Sequence, residues 1–329
     1  MVKSNKTDQK LIAELQKDGG ISYSDLGFRL GITPRTVAKR VEGLIESKLL
    51  TIRAQPNPYK LGLSASAVIA IKADPTKTGT VCKKLCGYFN VNLVQTIFGR
   101  FDILIIVYFP SWELLHEFIN DELYTIDGVT QVELYFIKDV FKRYDRFFKK
   151  EPFAKDRLKL KEADWTLIKE LAEDGRANPA DLAEKLGIHV TTVYRRMSAL
   201  IKGNVIKNSG VPNPSRLALS ANAYIILDVD PDEVDNICGN LYPSPEVHFI
   251  LTLSKRSGMI LCVHTRNNET LYEFLKQRIS PLKGLINTET FLRASVEKTY
   301  YGWLMETDEN QEVRYHPLAE ASTVDPSYS

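Results

Sequence analysis

The residue types that could carry chemistry are scattered along this 329-residue chain. Its five histidines, His116, His189, His248, His264 and His316, form no HExxH or other metal-ligand spacing, so no metal site is expected. Cys82, Cys86, Cys238 and Cys262 contain no CxxC pair and read as buried thiols of a reduced compartment rather than as zinc ligands or disulfides. With no P-loop, nucleophile elbow or Rossmann glycine pattern, neither catalysis nor a bound cofactor is expected. What recurs instead is a set of hydroxyls beside fixed positive charge. Thr33, Arg35, Thr36, Lys39 and Arg40 form one group; His189, Thr191, Thr192, Arg195 and Arg196 form the other. Arginine and lysine donate to guanine edges, and threonine meets a phosphate or a thymine methyl, so the chemistry these residues offer is contact with double-stranded DNA.

Such side chains read a groove only if a helix holds them in a row. Leu11, Ile12 and Leu15 recur at helical spacing, and Gly19-Gly20 ends that helix. Tyr23-Ser24-Asp25 offers caps for a second helix carrying Leu26 and Leu30 and closed by Gly31. Thr33 caps a third helix from Pro34, with Val37, Val41, Leu44 and Ile45 turned inward and the basic residues outward. Helix, glycine-bearing turn and helix is the helix-turn-helix arrangement, and Leu49–Arg53 and Val205–Asn208 read as short wing strands. A merely solvated basic face would have the same composition, and His189 suits a helix cap as well as a DNA contact.

The second group repeats the first at a constant shift of 156 residues. Asp8 falls on Asp164, Asp18-Gly19 on Asp174-Gly175, Leu30-Gly31-Ile32 on Leu186-Gly187-Ile188, Pro56-Asn57-Pro58 on Pro212-Asn213-Pro214 and Tyr144 on Tyr300. A gapless register of this length indicates tandem duplication. The expected organisation is a winged helix-turn-helix (1–60), a sensor domain (61–148), a basic linker (149–163), a second winged helix-turn-helix (164–216), a second sensor domain (217–304) and an acidic, disordered tail (305–329). Charge follows this division: residues 1–60 hold eleven Lys and Arg against six Asp and Glu, and residues 157–216 hold eleven against seven. Residues Met1 to Asp8 lack the apolar core of a secretory signal, and no apolar run is long enough to span a membrane, so a cytoplasmic location is expected.

From Ala65 the pattern becomes strand, helix, strand, strand, helix, strand. The apolar runs Val68–Ile71, Val91–Phe98, Ile103–Phe109 and Val129–Val140 alternate with helical segments at Val81 and Leu85 and at Leu114, Leu115 and Phe118. The fold class is α+β: two repeats, each a winged helix-turn-helix followed by a ferredoxin-like βαββαβ domain. The helices cover one sheet face, and the other needs a partner that the tandem copy can supply. Trp112 and Trp303 read as packing residues.

Taken together, Asp8 to Leu15, Leu26 to Ile32, Val37 to Leu44, Gly99-Arg100-Phe101-Asp102 and Gly128-Val129 resemble the Lrp/AsnC (leucine-responsive/asparagine-responsive) family over nearly the whole chain, twice. The resemblance implies a transcriptional regulator that binds DNA and a small effector such as an amino acid, with homo-oligomers built from pseudo-dimeric chains. It implies an effector pocket at Gly99, Arg100, Phe101, Asp102 and Gly128, with Asp102 available to an ammonium group. A tight β-turn at Gly99–Asp102 is the equal alternative. The second copy departs: Lys255-Arg256-Ser257-Gly258 replaces the motif, and Thr288 and Thr290 replace Val132 and Leu134, so ligand hydroxyls occur there alone. Fused siroheme decarboxylases are similar to the same fold and supply an enzymatic alternative, although an arginine-rich segment after the helix-turn-helix is missing. An assembly protein that does not bind DNA is the third class.

Overall fold

The computed structural model describes residues 6–143, 160–213, 219–254, 258–299, 306–307 and 313–314. The chain divides into two compact units, one holding Met1–Leu61 and Ala154–Leu217, the other Gly62–Phe153 and Ala218–Tyr300.

In the first unit, α1 (Lys6–Lys17), α2 (Tyr23–Leu30) and α3 (Pro34–Glu46) precede β1 (Leu50–Pro56). Leu11, Leu15, Leu26, Val37, Val41 and Leu44 interlock as one buried cluster. Ser22, one residue before the expected caps, accepts the Asp25 amide at the start of α2. Gly31 ends α2 at φ +67°, a conformation that glycine adopts without a Cβ clash, so the chain turns sharply into α3. Thr33 caps α3 and Pro34 occupies its first turn, as expected.

The same order returns as α6 (Glu162–Glu173), α7 (Pro179–Leu186), α8 (Val190–Lys202) and β6 (Ile206–Pro212). Helix α6 begins inside the expected linker because the Asp164 carboxylate accepts the Lys161 amide and starts the helix early. Linker residues 149–159 lie outside the described residues.

The wing strands do not form a hairpin within each copy. β1 pairs antiparallel with β6, from Leu50 opposite Pro212 to Pro56 opposite Ile206, with Arg53 opposite Ser209 at the centre. Because positions 53 and 209 are equivalent under the repeat, the ribbon has a local pseudo-two-fold relation. Two further bonds obey it: the Gly19 amide donates to the Asn208 carbonyl at 2.8 Å and the Gly175 amide to the Ile52 carbonyl at 2.9 Å. A Cβ on Gly19 would lie 2.9 Å from the Ser209 nitrogen, so this glycine does more than stop a helix: it lets the other copy's strand approach.

The second unit is a closed eight-stranded barrel of two four-stranded sheets. β2 (Ala65–Ala73), α4 (Thr78–Cys86), β3 (Val91–Phe98), β4 (Ile103–Phe109), α5 (Trp112–Glu117) and β5 (Val129–Arg143) give the sheet order β3-β4-β2-β5. β7 (Ala221–Val229), α9 (Val234–Leu241), β8 (Val247–Leu253), β9 (Gly258–Thr265), α10 (Asn268–Phe274) and β10 (Leu285–Thr299) give β8-β9-β7-β10. Each sheet is the ferredoxin-like order, but the sheets are joined edge to edge, β5 to β8 and β10 to β3, so closure removes the free edges. Ile69, Ile71, Ile103 and Ile105 pack outward under α4 and α5, while Ile225, Leu227, Leu261 and Val263 lie in the matching layer of the other sheet. Ser66, Val68, Asn222 and Tyr224 alternate with these layers and therefore face the barrel interior.

Lysines lock both seams. Lys142 Nζ donates to the Ser244 carbonyl at 2.7 Å; its counterpart Lys298 donates to the carbonyls of Cys86 and Tyr88 at 2.9 and 2.8 Å, where α4 ends. Trp112 is part-exposed with its ring edge on Phe136, whereas Trp303 lies outside the described residues. In the expected tail, Glu306–Thr307 pairs with Val313–Arg314, and its other residues lie outside the described ones. Among the described residues no helix is long and apolar enough to cross a membrane.

Candidate functional site

Helix α3 turns Arg35, Thr36 and Lys39 to solvent on its N-terminal half, opposite buried Val37 and Val41. Thr33 is exposed but occupied as the cap, accepting the Thr36 amide at 3.2 Å. Helix α8 likewise exposes Thr191 and Arg195, with Thr192 half-buried. His189 is its cap, with Nδ1 accepting the Thr191 amide at 3.4 Å and lying 2.8 Å from the Thr191 hydroxyl.

Arg40 and Arg196 depart from the expected outward row. Arg40 Nη1 bonds Asp8 at 2.9 Å and Arg196 Nη1 bonds Asp164 at 2.8 Å, each pinning a recognition helix to the first helix of its copy. Both arginines are only part-exposed, so their first task is positioning. In each copy a second ion pair braces the first two helices: Arg29 with Glu14 at 2.7 Å and Lys185 with Glu170 at 2.6 Å. Hydrogen bonds from Lys17 and Arg29 hold the Glu14 carboxyl below its ordinary range.

Sequence reasoning missed Tyr194, which is 59% exposed on α8 where the first copy has Ala38. The signal was available: Thr191, Tyr194, Arg195 and Ser198 follow the i, i+3, i+4, i+7 spacing of one helix stripe.

The expected effector residues are taken up by packing, ion pairs and hydrogen bonds within the fold. Phe101 is fully buried, edge-on to Phe291 at 6.1 Å. A Cβ on Gly99 would lie 2.7 Å from the Phe291 ring, and one on Gly128 would lie 2.8 Å from Lys77 Cβ, so both glycines serve packing. Arg100 bridges the copies, with Nη1 on Glu133 at 2.6 Å and Nε and Nη2 on Glu289 at 3.0 Å. Asp102 is not available to an ammonium group as expected: Lys72 Nζ and the Ala73 amide each donate to it at 2.9 Å. Thr288 and Thr290 flank Glu289 on β10, so strand alternation turns them to the opposite side from the Arg100 clamp. Lys255, Arg256 and Ser257 lie outside the described residues.

Burial pushes the thiols of Cys82, Cys238 and Cys262 up to about 12 and that of Cys86 to about 11, which keeps them protonated and unreactive. Among the described residues no histidine, cysteine and carboxylate cluster has metal-binding geometry.

Two helix-turn-helix modules joined by a strand ribbon, in a chain that also carries a ferredoxin-like sheet pair, define the class: helix-turn-helix regulators with a ligand-binding domain. Residues 5–45 match the AsnC-type helix-turn-helix domain, residues 66–147 the Lrp/AsnC ligand binding domain, and residues 160–207 a winged helix-turn-helix DNA-binding domain. Relatives include an uncharacterized HTH-type transcriptional regulator of Pyrococcus horikoshii, 31% identical over 45% of this chain and 94% of its own length. A second, from Pyrococcus furiosus, is 32% identical over 44% of this chain and 99% of its own. The chain belongs to the Lrp/AsnC family. Among solved structures, the siroheme decarboxylase NirDL matches in fold with a TM-score of 0.65 at 17% identity, covering 90% of this chain and 93% of that one.

Proposed function

We propose that the chain is a sequence-specific, DNA-binding transcriptional regulator that works as a covalent pseudo-dimer of two Lrp/AsnC repeats. The observation that carries this reading is the pair of capped helices α3 and α8, each with an outward Thr and Arg or Lys face and each pinned by an arginine to the first helix of its copy. The β1–β6 ribbon holds the two modules in one body, as needed to address two major-groove segments together. Fixed stoichiometry lets the halves read unequal half-sites, and further self-association of chains fits the family. A small effector that binds one arrangement better than another is sufficient for regulation; the match to a ligand binding domain supports one.

The test is binding of purified protein to fragments of its own upstream region against an unrelated fragment of equal length, as a function of salt. Preferential binding that weakens steeply with salt is expected; no binding to either fragment overturns the reading. The whole-chain fold match to NirDL favours a second reading, a siroheme decarboxylase. Anaerobic incubation with siroheme followed by chromatography decides it by the presence or absence of decarboxylated product.

A further inference from the structure

One row across the barrel's inner face is charged in the second copy and neutral in the first. On adjacent strands β10, β7, β9 and β8 the residues are Arg293, Asn222, His264 and His248. Asn222 is directly opposite His264 in the ladder. A β-bulge between Val247 and Phe249 re-aims His248, whose ring stacks on His264 at 4.6 Å between centroids and 22° between planes. The next row holds Tyr224 and Cys262, with Phe249 beside them; the Tyr224 hydroxyl donates to Gln95 at 2.6 Å. The first copy's counterparts of Arg293, Asn222, His264 and His248 are Ile137, Ser66, Tyr108 and Asn92.

Arg293 is the residue without an explanation. It is half-buried, and among the described residues it makes no ion pair and no hydrogen bond, although the Asn222 side-chain oxygen in the same row is a buried acceptor that likewise has no partner there. The charges that act on His264 come from His248 and Arg293, and none is acidic. Burial with these neighbours holds the His264 ring well below the ordinary histidine range, so it stands neutral. A cation turned into a barrel with no described carboxylate paired to it is placed to take an anion from outside. Solvent reaches the row, since Arg293, His264, His248 and Phe249 are all part-exposed.

We propose that the inner face of the second copy's sheet binds a small organic acid, its carboxylate taken by Arg293 and the imidazoles of His264 and His248 and its apolar body lying along Phe249 and Ile97. A planar guanidinium matches a carboxylate with two parallel bonds. The apolar flank favours an organic body over inorganic phosphate. The lack of an acidic group in the row disfavours an ammonium, so the ligand is a simple carboxylate rather than an amino acid. This deepens the effector half of the reading above and is independent of DNA binding.

The experiment follows the imidazole C–H signals of the full chain by NMR while phenylacetate, phenylalanine or inorganic phosphate is added. Substitutions to the first copy's residues, His248→Asn and His264→Tyr, assign the two signals. Phenylacetate should shift both, and Arg293→Ile should weaken binding about tenfold or more, while Arg293→Lys should retain part of it. Circular dichroism confirms that both variants are folded. The proposal is overturned if no probe moves these signals, if Arg293→Ile responds as the natural chain does, or if phosphate or phenylalanine matches phenylacetate. None of these outcomes bears on the salt-dependent DNA assay, so the two readings fail separately.

Discussion

Lys298 offers a prediction with a definite sign. Its ammonium is buried at the β10–β3 seam, bonded to two carbonyls at the end of α4, and burial pulls its pKa from the ordinary 10.5 down to about 8. The unfolded chain therefore holds more protons than the folded one between these values, and this lysine's contribution to stability rises with pH through that window. A shift of this size corresponds to about 3 kcal/mol, at roughly 1.4 kcal/mol per unit. In Lys298→Met the buried charge disappears, but two carbonyls lose a donor at about 1–3 kcal/mol each, so near neutral pH the variant should lie close to the natural chain. The stability gap should then widen by about 3 kcal/mol as the pH rises past 10. The gap between the two proteins has to be measured, because the buried thiols act in the opposite sense: Cys82, Cys238 and Cys262 resist ionisation in the folded state, which costs stability above their ordinary value of 9. Denaturant melts at several pH values supply the gap. A gap that stays constant or narrows with pH refutes the account of a charged, buried seam lysine.

Other perturbations separate the parts. Arg35→Ala with Lys39→Ala should weaken operator binding and, where both contact phosphate, lower the salt slope by about 2; Thr191→Ala with Arg195→Ala should lower it by about 1. Unchanged affinity in both pairs would dismiss these helices as the reading heads. Arg100→Ala leaves Glu133 and Glu289 facing each other without their shared cation and should cost about 1 kcal/mol in a thermal melt. Gly99→Ala, at φ +146° and with its Cβ 2.7 Å from the Phe291 ring, should cost about 1–3 kcal/mol, and a neutral result in a denaturant melt would show that the ring yields freely.

Local signals made the modules legible. Thr33-Pro34 and Gly31 punctuate helices through short-range chemistry, and the βαββαβ order follows from alternating apolar runs. What the sequence concealed depends on partners distant along the chain. Asp8 and Arg40 are 32 residues apart, so nothing local separates an arginine held by a carboxylate from one free to meet DNA. Phe101 sits in a glycine-bearing motif that suggests an open loop, yet its ring is buried because Phe291 lies against it. The wing strands were visible, but the ribbon they make with each other was not, since a single strand does not name its partner. Tyr194 was legible through its helical stripe; the inner barrel row was not, because its four residues come from four strands whose order in the sheet is set by tertiary pairing.

The seams and the divergent surfaces follow different rules. Where the copies meet, the repeat is kept: Gly19 with Gly175, Lys142 with Lys298, and Ile137 opposite Leu253 in one seam as Arg293 is opposite Ile97 in the other. In a symmetric dimer an arginine at position 293 would also occur at position 137, placing two like cations inside one barrel. Fusion permits one without the other. Ile137→Arg recreates the symmetric case at a site 5% exposed and should cost about 2–4 kcal/mol, the scale of an uncompensated buried charge. Arg293→Ile removes the cation from the other seam and should be neutral or stabilising without a ligand. If denaturant melts place both variants on the same side of the natural chain, Arg293 is a packing residue whose charge the fold already accommodates; opposite signs identify it as a charge kept at the expense of stability, which a bound carboxylate would repay.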